Sequence, residues 1–495
     1  LLVVRPLEQR NIKPEESVDI AENVKVTAPR GLEASLSLTT VSEAERSISA
    51  SEQYPELSFM PPAMGGDAAV TEPFEFTPGN HNSPGLSVLE LYDVQGREAV
   101  NAANPVKISL QQQMSAQEMV IPMGFDAETG MYYPLGHATA SGEIAIESLP
   151  QESETGTRSL LGSVKIFFQK VVLDKLGFEY KYPQLAIANF DGSGATFTYE
   201  IGSSEIRQQV AQAENIVLFM HGIIGNTTEM PQMLHKIKTY DGSPFQNPYD
   251  LVLTFDYENL NTEIQTTAKD LKQRLAEVGL EANHDKDLTI IAHSMGGLVA
   301  RWFIEKEGGN AIVNHLIQVG TPNGGSPWSD VYQLSTALLT QVVNGAAFLQ
   351  PYLLTLNLLG RFAGQLFKTL EQMDPDDSGF LRSLNDGSDP MVPYTLIAGN
   401  TQLIPMTAET MKKQANILHK ALERFRNGER YYRILDGFLF DKPNDIAVAV
   451  ESIYLIPGSE NWQTPPKQIS VGCDHISYFA TPMGLEALAQ AILRL

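Results

Sequence analysis

The chain predicts an α/β fold, a mostly parallel sheet flanked by helices over about the last three-fifths of its length, behind a β-rich (sandwich-like) N-terminal domain. Two patterns in the sequence lead there. Between residues 215 and 319, apolar runs of strand length alternate with amphipathic helical stretches, and each run ends in small or polar residues. Between residues 85 and 150, short strand-like runs are parted by turn residues at roughly ten-residue spacing, as expected for a small sandwich.

Taken in order, residues 1–84 are expected to be extended or linker-like, with 55–84 rich in Pro, Gly, Asn and Ala. Strands are expected at 87–92, 106–110, 119–123 and 143–146, which gives a β-domain over 85–150. Residues 151–204 read as a connector, with an amphipathic stretch near 163–176 and a hairpin at Asp191-Gly192-Ser193-Gly194. The domain from 205 to 495 opens with the strand Val217-Leu218-Phe219-Met220, ending in His221-Gly222-Ile223, and continues with a strand at 251–255. A helix follows at 262–278, with Ile264, Leu271, Leu275 and Val278 on one face. The strand starting at Leu288 stops at Ser294, and a helix begins whose apolar positions are Leu298, Val299, Trp302 and Phe303. A strand at 316–319 runs into Gly320-Thr321-Pro322-Asn323-Gly324-Gly325-Ser326-Pro327, and a final helix is expected at 482–494.

Ala292-His293-Ser294-Met295-Gly296-Gly297 carries the chemistry. Strand, serine, glycine pair and helix in that order form a nucleophile elbow, a strained turn that lifts a serine above the sheet. Small residues two positions to either side, Ala292 and Gly296, avoid collision across the turn. With His221-Gly222, the 320–327 run and Phe380-Leu381-Arg382-Ser383-Leu384-Asn385, residues from about 205 to 495 resemble a lipase-like α/β-hydrolase. The likeness is to bacterial lipases and the inositol-deacylase-like group, whose usual glycine two before the serine is Ala292 here.

A serine nucleophile needs a base and an oriented carboxylate, which in this fold follow it in the order acid, then histidine. His475, in Gly472-Cys473-Asp474-His475-Ile476 before the final helix, is the expected base; His419 sits in a charged stretch. Asn444-Asp445-Ile446-Ala447-Val448, with Ser452 beyond, resembles the family's Asp-Gly-x-Val segment, although Ile446 replaces the glycine. Asp445 is therefore the expected acid, with Asp441 and Asp436 as competitors and Asp474 as a loop cap. The oxyanion hole is expected from the backbone N–H of Met295 and, by resemblance, of Ile223. His221 is expected to be structural and His293 to pack beneath the elbow.

From Val331 to Gly360 there is no charged residue, while leucine, valine, phenylalanine and alanine recur at helical intervals. Pro351 and Gly345 interrupt the run, which argues against a membrane span; a buried helix pair and a mobile lid remain, the lid over about 326–380 being favoured. A net charge of −24 argues against nucleic acid and against electrostatic docking on anionic membranes. Residues 51–150 hold thirteen acidic residues against Arg97 and Lys107, which reads as a solvated acidic face. Cys473 is the only cysteine, which excludes an internal disulfide and fits a reducing, cytoplasmic setting. The start, Leu-Leu-Val-Val-Arg-Pro, fits either a removed leader or a piece of a longer chain.

The reading is a serine hydrolase cleaving carboxylic esters of lipids through Ser294, His475 and Asp445, with no metal or organic cofactor. The expected partners are a lipid or other acyl-ester substrate, a membrane surface touched transiently through the lid, and a protein met by the N-terminal β domain. Two alternatives stay open: an acyltransferase using the same residues, and a regulated effector or interaction protein under control of the N-terminal domain.

Overall fold

The computed structural model describes residues 9–41, 56–57, 71–76, 85–110, 118–126, 131–138, 143–150, 163–172, 183–190, 197–223, 227, 230–237, 245–258, 262–328, 368–376, 379–405, 407, 438–439 and 441–494. The chain divides into two compact units, one within Leu1–Gly177 and one that begins at Phe178.

The first unit is antiparallel. One sheet runs Arg10–Ile12, Glu33–Val41, Leu86–Gln95, Ser163–Val172, Glu118–Asp126, Met131–Pro134, with Thr71–Pro73 also paired to Ser163–Val172. The other runs Gly136–Ala138, Glu143–Ile146, Val106–Leu110, Val24–Thr27, Ser17–Ala21. Alternate residues of both sheets, among them Leu36, Leu89, Leu91, Ile166 and Phe168 from the first and Val26, Ile108, Ile144 and Ile146 from the second, share one apolar core. Two expectations are corrected. The described residues of 1–84 include five strands, so the β unit begins well before residue 85. The amphipathic stretch near 163 belongs to the same unit as a central strand, since Val164, Ile166 and Phe168 recur every second residue.

Elements of the second unit are numbered from its start. Strands β1 (Gln184–Phe190) and β2 (Phe197–Glu200) pair antiparallel as a hairpin. The strands that follow are β3 (Asn215–Met220), β4 (Leu251–Asp256), β5 (Asp287–His293), β6 (His315–Val319), β7 (Tyr394–Gly399) and β8 (Lys467–Val471). The sheet order is β2-β1-β4-β3-β5-β6-β7-β8, and every pair from β4 to β8 is parallel. β3, β5 and β6 are covered on both faces, which is why they read as unbroken apolar runs. Helices of the unit include α1 (Ser203–Gln212), α2 (Ile264–Glu277), α3 (Met295–Lys306), α4 (Gly379–Asn385), α5 (Val450–Tyr454) and α6 (Pro482–Ile492), besides short ones at Met233–Lys236 and Lys368–Gln372.

Register brings the strand ends together. Met220, Ala292, Gln318, Leu396 and Gln468 form one row across five strands, so the segments after them open at one edge of the sheet. α2 packs on α3, which lies over β5 and β6. Leu485, Leu488 and Ile492 of α6 share a core with Val217, Phe219, Ile291, Ile317 and Ile397. The expected connector 151–204 thus ends inside this unit, supplying β1 and β2; β7 and β8 were not anticipated. Residues 329–367, most of the expected lid, lie outside the described residues, as do His419, Asp436 and the hairpin turn at 191–194. Among the described residues no helix is long and apolar enough to cross a membrane.

Candidate active site

Ser294 joins β5 to α3 at φ 54°, ψ −129°, a conformation L-residues rarely hold and one that costs on the order of 1–3 kcal/mol. Its N–H donates to the carbonyl of Val319 at 2.8 Å, which ties the turn to the end of β6. The tight turn explains the small residues around it. A Cβ on Gly222 would lie 2.5 Å from the Cβ of Ser294, one on Gly296 would strike the His221 carbonyl, and one on Gly297 would strike Thr321. The Ser294 side chain does not cap α3; its Oγ lies 2.9 Å from Nε2 of His475.

His475 follows β8 and is held by main chain and side chain together. Its N–H donates to the Asp445 carbonyl at 2.7 Å, and its Nδ1 lies 2.7 Å from Oδ2 of Asp445. The Asp445 carboxylate is fully buried and saturated. Oδ1 accepts the N–H groups of Ala447 and Val448 at 3.1 and 2.7 Å, and Oδ2 also accepts the Tyr478 hydroxyl at 2.7 Å. The turn that aims those N–H groups passes through Ile446 at φ 84°, so isoleucine holds a backbone conformation that glycine adopts freely. Trp328 Nε1 donates to the Ile446 carbonyl and Ser326 Oγ to that of Ala447, clamping the turn. Ser452 reaches the 320–327 run, donating to the Gly325 carbonyl at 2.6 Å. Of the other carboxylates considered, Asp441 is exposed, and Asp474 accepts the Ile476 N–H within its own loop.

His293 lies beside His475, with ring centres 4.8 Å apart, and its Nε2–H donates to the His475 carbonyl at 2.7 Å. Burial pushes the His293 imidazole down to about 3, so it is neutral at ordinary pH. His221 is also fully buried, and burial lowers its basicity. The Tyr257 N–H donates to His221 Nε2 at 3.2 Å, which leaves the ring proton on Nδ1, directed at the Gly222 carbonyl at 2.8 Å. That carbonyl and the Ile223 N–H belong to one peptide plane and point oppositely. His221 therefore orients the N–H that sequence reasoning picked for the oxyanion hole. Asp256 stands 3.8 Å from His221 and accepts instead from Thr227, through N–H at 2.8 Å and hydroxyl at 2.7 Å.

Beneath the elbow, Arg301 of α3 is buried and fully engaged: Nε and Nη2 with Glu305, Nη1 with Asn323 and Asn385. Trp302 stacks on Phe380 at 5.3 Å. The 320–327 run and α4 are thus fastened to α3, which accounts for the Phe380–Asn385 motif. Sequence reasoning missed Tyr478 and the Arg301 cluster; a tyrosine three residues after the base and an arginine on an apolar helix face were the available signals. Among the described residues no group of three or more His, Cys, Asp or Glu is placed to hold a metal.

A sheet of this order with a serine raised at the end of its central strand defines the class of the second unit, an α/β unit with a strained strand-to-helix turn at Ser294. The chain belongs to the DUF7379 family, described as a domain of unknown function, whose model matches residues 186–493. Among curated proteins none matches by sequence. Solved structures with similarity include the mature lipase BlEst2 of Bacillus licheniformis, 18% identical, covering 55% of this chain and 88% of that one, TM-score 0.31. Phospholipase PlaB from Legionella pneumophila is 15% identical, over 48% of this chain and 45% of that one, TM-score 0.29, so the match spans less than half of its length. The lin2722 product of Listeria innocua is 13% identical, over 57% and 95%, TM-score 0.30. At these identities and TM-scores none of them bears on the roles of individual residues.

Proposed function

We propose that the chain is a serine hydrolase of carboxylic esters, acting on lipids through an acyl-enzyme on Ser294. The observation that carries this reading is the unbroken line Ser294 Oγ, His475, Asp445 at 2.9 and 2.7 Å, starting from a serine in a strained turn. His475 Nε2 takes the hydroxyl proton as Oγ attacks the ester carbonyl, and Asp445 keeps the proton on Nδ1 and offsets the imidazolium charge. The N–H groups of Ile223 and Met295 receive the oxyanion, each such donor contributing about 3 kcal/mol to the transition state. His475 returns its proton to the leaving alkoxide, and water then releases the acid. The charge-free sequence 331–360 supports an apolar acyl group as substrate.

The test is labelling by a fluorophosphonate, paired with fatty-acid release from phospholipid vesicles, triglyceride emulsion and a soluble butyryl ester, using Ser294→Ala as blank. Labelling lost in Ser294→Ala, together with release that favours a lipid phase, is the expected result. Release from the butyryl ester alone would remove the lipid part of the reading. Absence of labelling in folded protein would overturn the hydrolase assignment.

A further inference from the structure

Tyr478 lies three residues beyond His475, in the turn that leads to α6. Its hydroxyl oxygen accepts the N–H of Gly399, at the end of β7, at 2.6 Å. A main-chain N–H can only donate, so the phenolic proton is left for Oδ2 of Asp445 at 2.7 Å. That is the oxygen which Nδ1 of His475 also addresses. Two glycines make room for the pair. A Cβ on Gly320, itself at φ +61°, would stand 3.0 Å from Oδ2 of Asp445 and 3.0 Å from the Tyr478 ring. One on Gly399 would stand 2.7 Å from the hydroxyl. The ends of two neighbouring strands are thus bare where the phenol meets the carboxylate. The ring is fully buried, and burial with Asp445 beside it keeps the phenol protonated well beyond the working range.

We propose that Tyr478 is a positioning residue of the site: it shares the charge of Asp445 Oδ2 with His475 and so sets the pH at which the imidazole is free to act as base. The kinetic side of this rests on the hydrolase reading; the titration of His475 does not. The groups facing His475 are Asp445 from the turn before α5, neutral His293 from β5, Asp474 from its own loop, and Tyr478. Removing the phenolic donor leaves Oδ2 to the imidazolium alone, which favours the charged ring and moves its titration to higher pH. A stronger donor at the same place moves it to lower pH.

The His475 imidazole is titrated by NMR in the full chain, in Tyr478→Phe, and with a ring-difluorinated tyrosine in place of Tyr478; kcat/KM is followed against pH in parallel. The phenylalanine variant is expected to raise the midpoint by roughly half a pH unit or more, and the fluorinated ring to lower it. The near-isosteric fluorinated protein decides alone if Tyr478→Phe fails to fold. Unmoved midpoints in folded proteins would overturn the proposal. Midpoints that move as expected without ester hydrolysis would support the positioning role and count against the hydrolase reading.

Discussion

Among the described residues the second unit holds two buried histidine–aspartate pairs, and they are wired in opposite senses. In His475–Asp445 the carboxylate meets Nδ1 at 2.7 Å, and Nε2 is turned to a serine hydroxyl. In His221–Asp256 the nearest approach is 3.8 Å, Nε2 is taken by a main-chain N–H, and Nδ1 by a carbonyl. Burial raises Asp256 and lowers His221, so both shifts disfavour an ion pair there. Proximity of acid and imidazole does not make a base. What decides is whether a ring nitrogen is left facing a group that can give up a proton.

The hardest test of that contrast replaces each acid by its amide. Asp445→Asn is expected to cut kcat by on the order of ten-thousandfold, because the amide favours the wrong imidazole tautomer. Asp256→Asn keeps its Thr227 partners and is expected to stay within about tenfold of the parent. Equal losses in a steady-state assay would erase the distinction.

Protonation gives a second, smaller test. His293 and His315 are held at about 3 and about 4 in the folded chain, by burial first, against 6.5 for the free imidazole. Above pH 6.5 neither state takes up the proton. Below it the unfolded chain does and the folded chain does not, so stability falls by up to about 1.4 kcal/mol per pH unit per histidine until the folded value is reached. His315 bonds Thr395 across strands, remote from both pairs. Urea unfolding of His315→Asn between pH 6.5 and 4 should show a slope shallower by about one proton; an unchanged slope would mean that this ring is charged in the fold.

The smallest effect is expected at Ile446. Glycine takes φ 84° without strain, so Ile446→Gly should keep the Ala447 and Val448 N–H groups on Asp445 and leave kcat/KM within about threefold. Relief of about 1–3 kcal/mol of strain offsets much of the lost burial. A large fall in rate would show that the isoleucine side chain itself supports the turn.

What could be read in the sequence was what is local or follows from chain order. Ser294 stood out because strand, serine, glycine pair and helix are contiguous, and His475 because it precedes the last helix. Asp445 needed a motif that Ile446 blurs. Tyr478 offered only its place three residues after His475, since its meaning arises where the ends of β6 and β7 and the Asp445 turn meet. β8 went unnoticed because it is a largely exposed edge strand with a polar sequence. The N-terminal strands went unnoticed for a different reason. Charged and apolar residues alternate in stretches such as Ser17–Ala21, and alternation over so few residues looks like disorder until a second sheet closes over it.

The Ser294 turn sits at the middle of the sheet, after β5, while His475 sits after β8 at the rim. A chain leaving the ribosome therefore displays the serine well before the histidine it meets in the fold (181 apart in sequence). Until β8 docks on β7, Ser294 lacks its His475 contact. Under the proposed function, the ability to cut an ester would report that the fold is finished, and unfinished chains would pass by membranes without harming them.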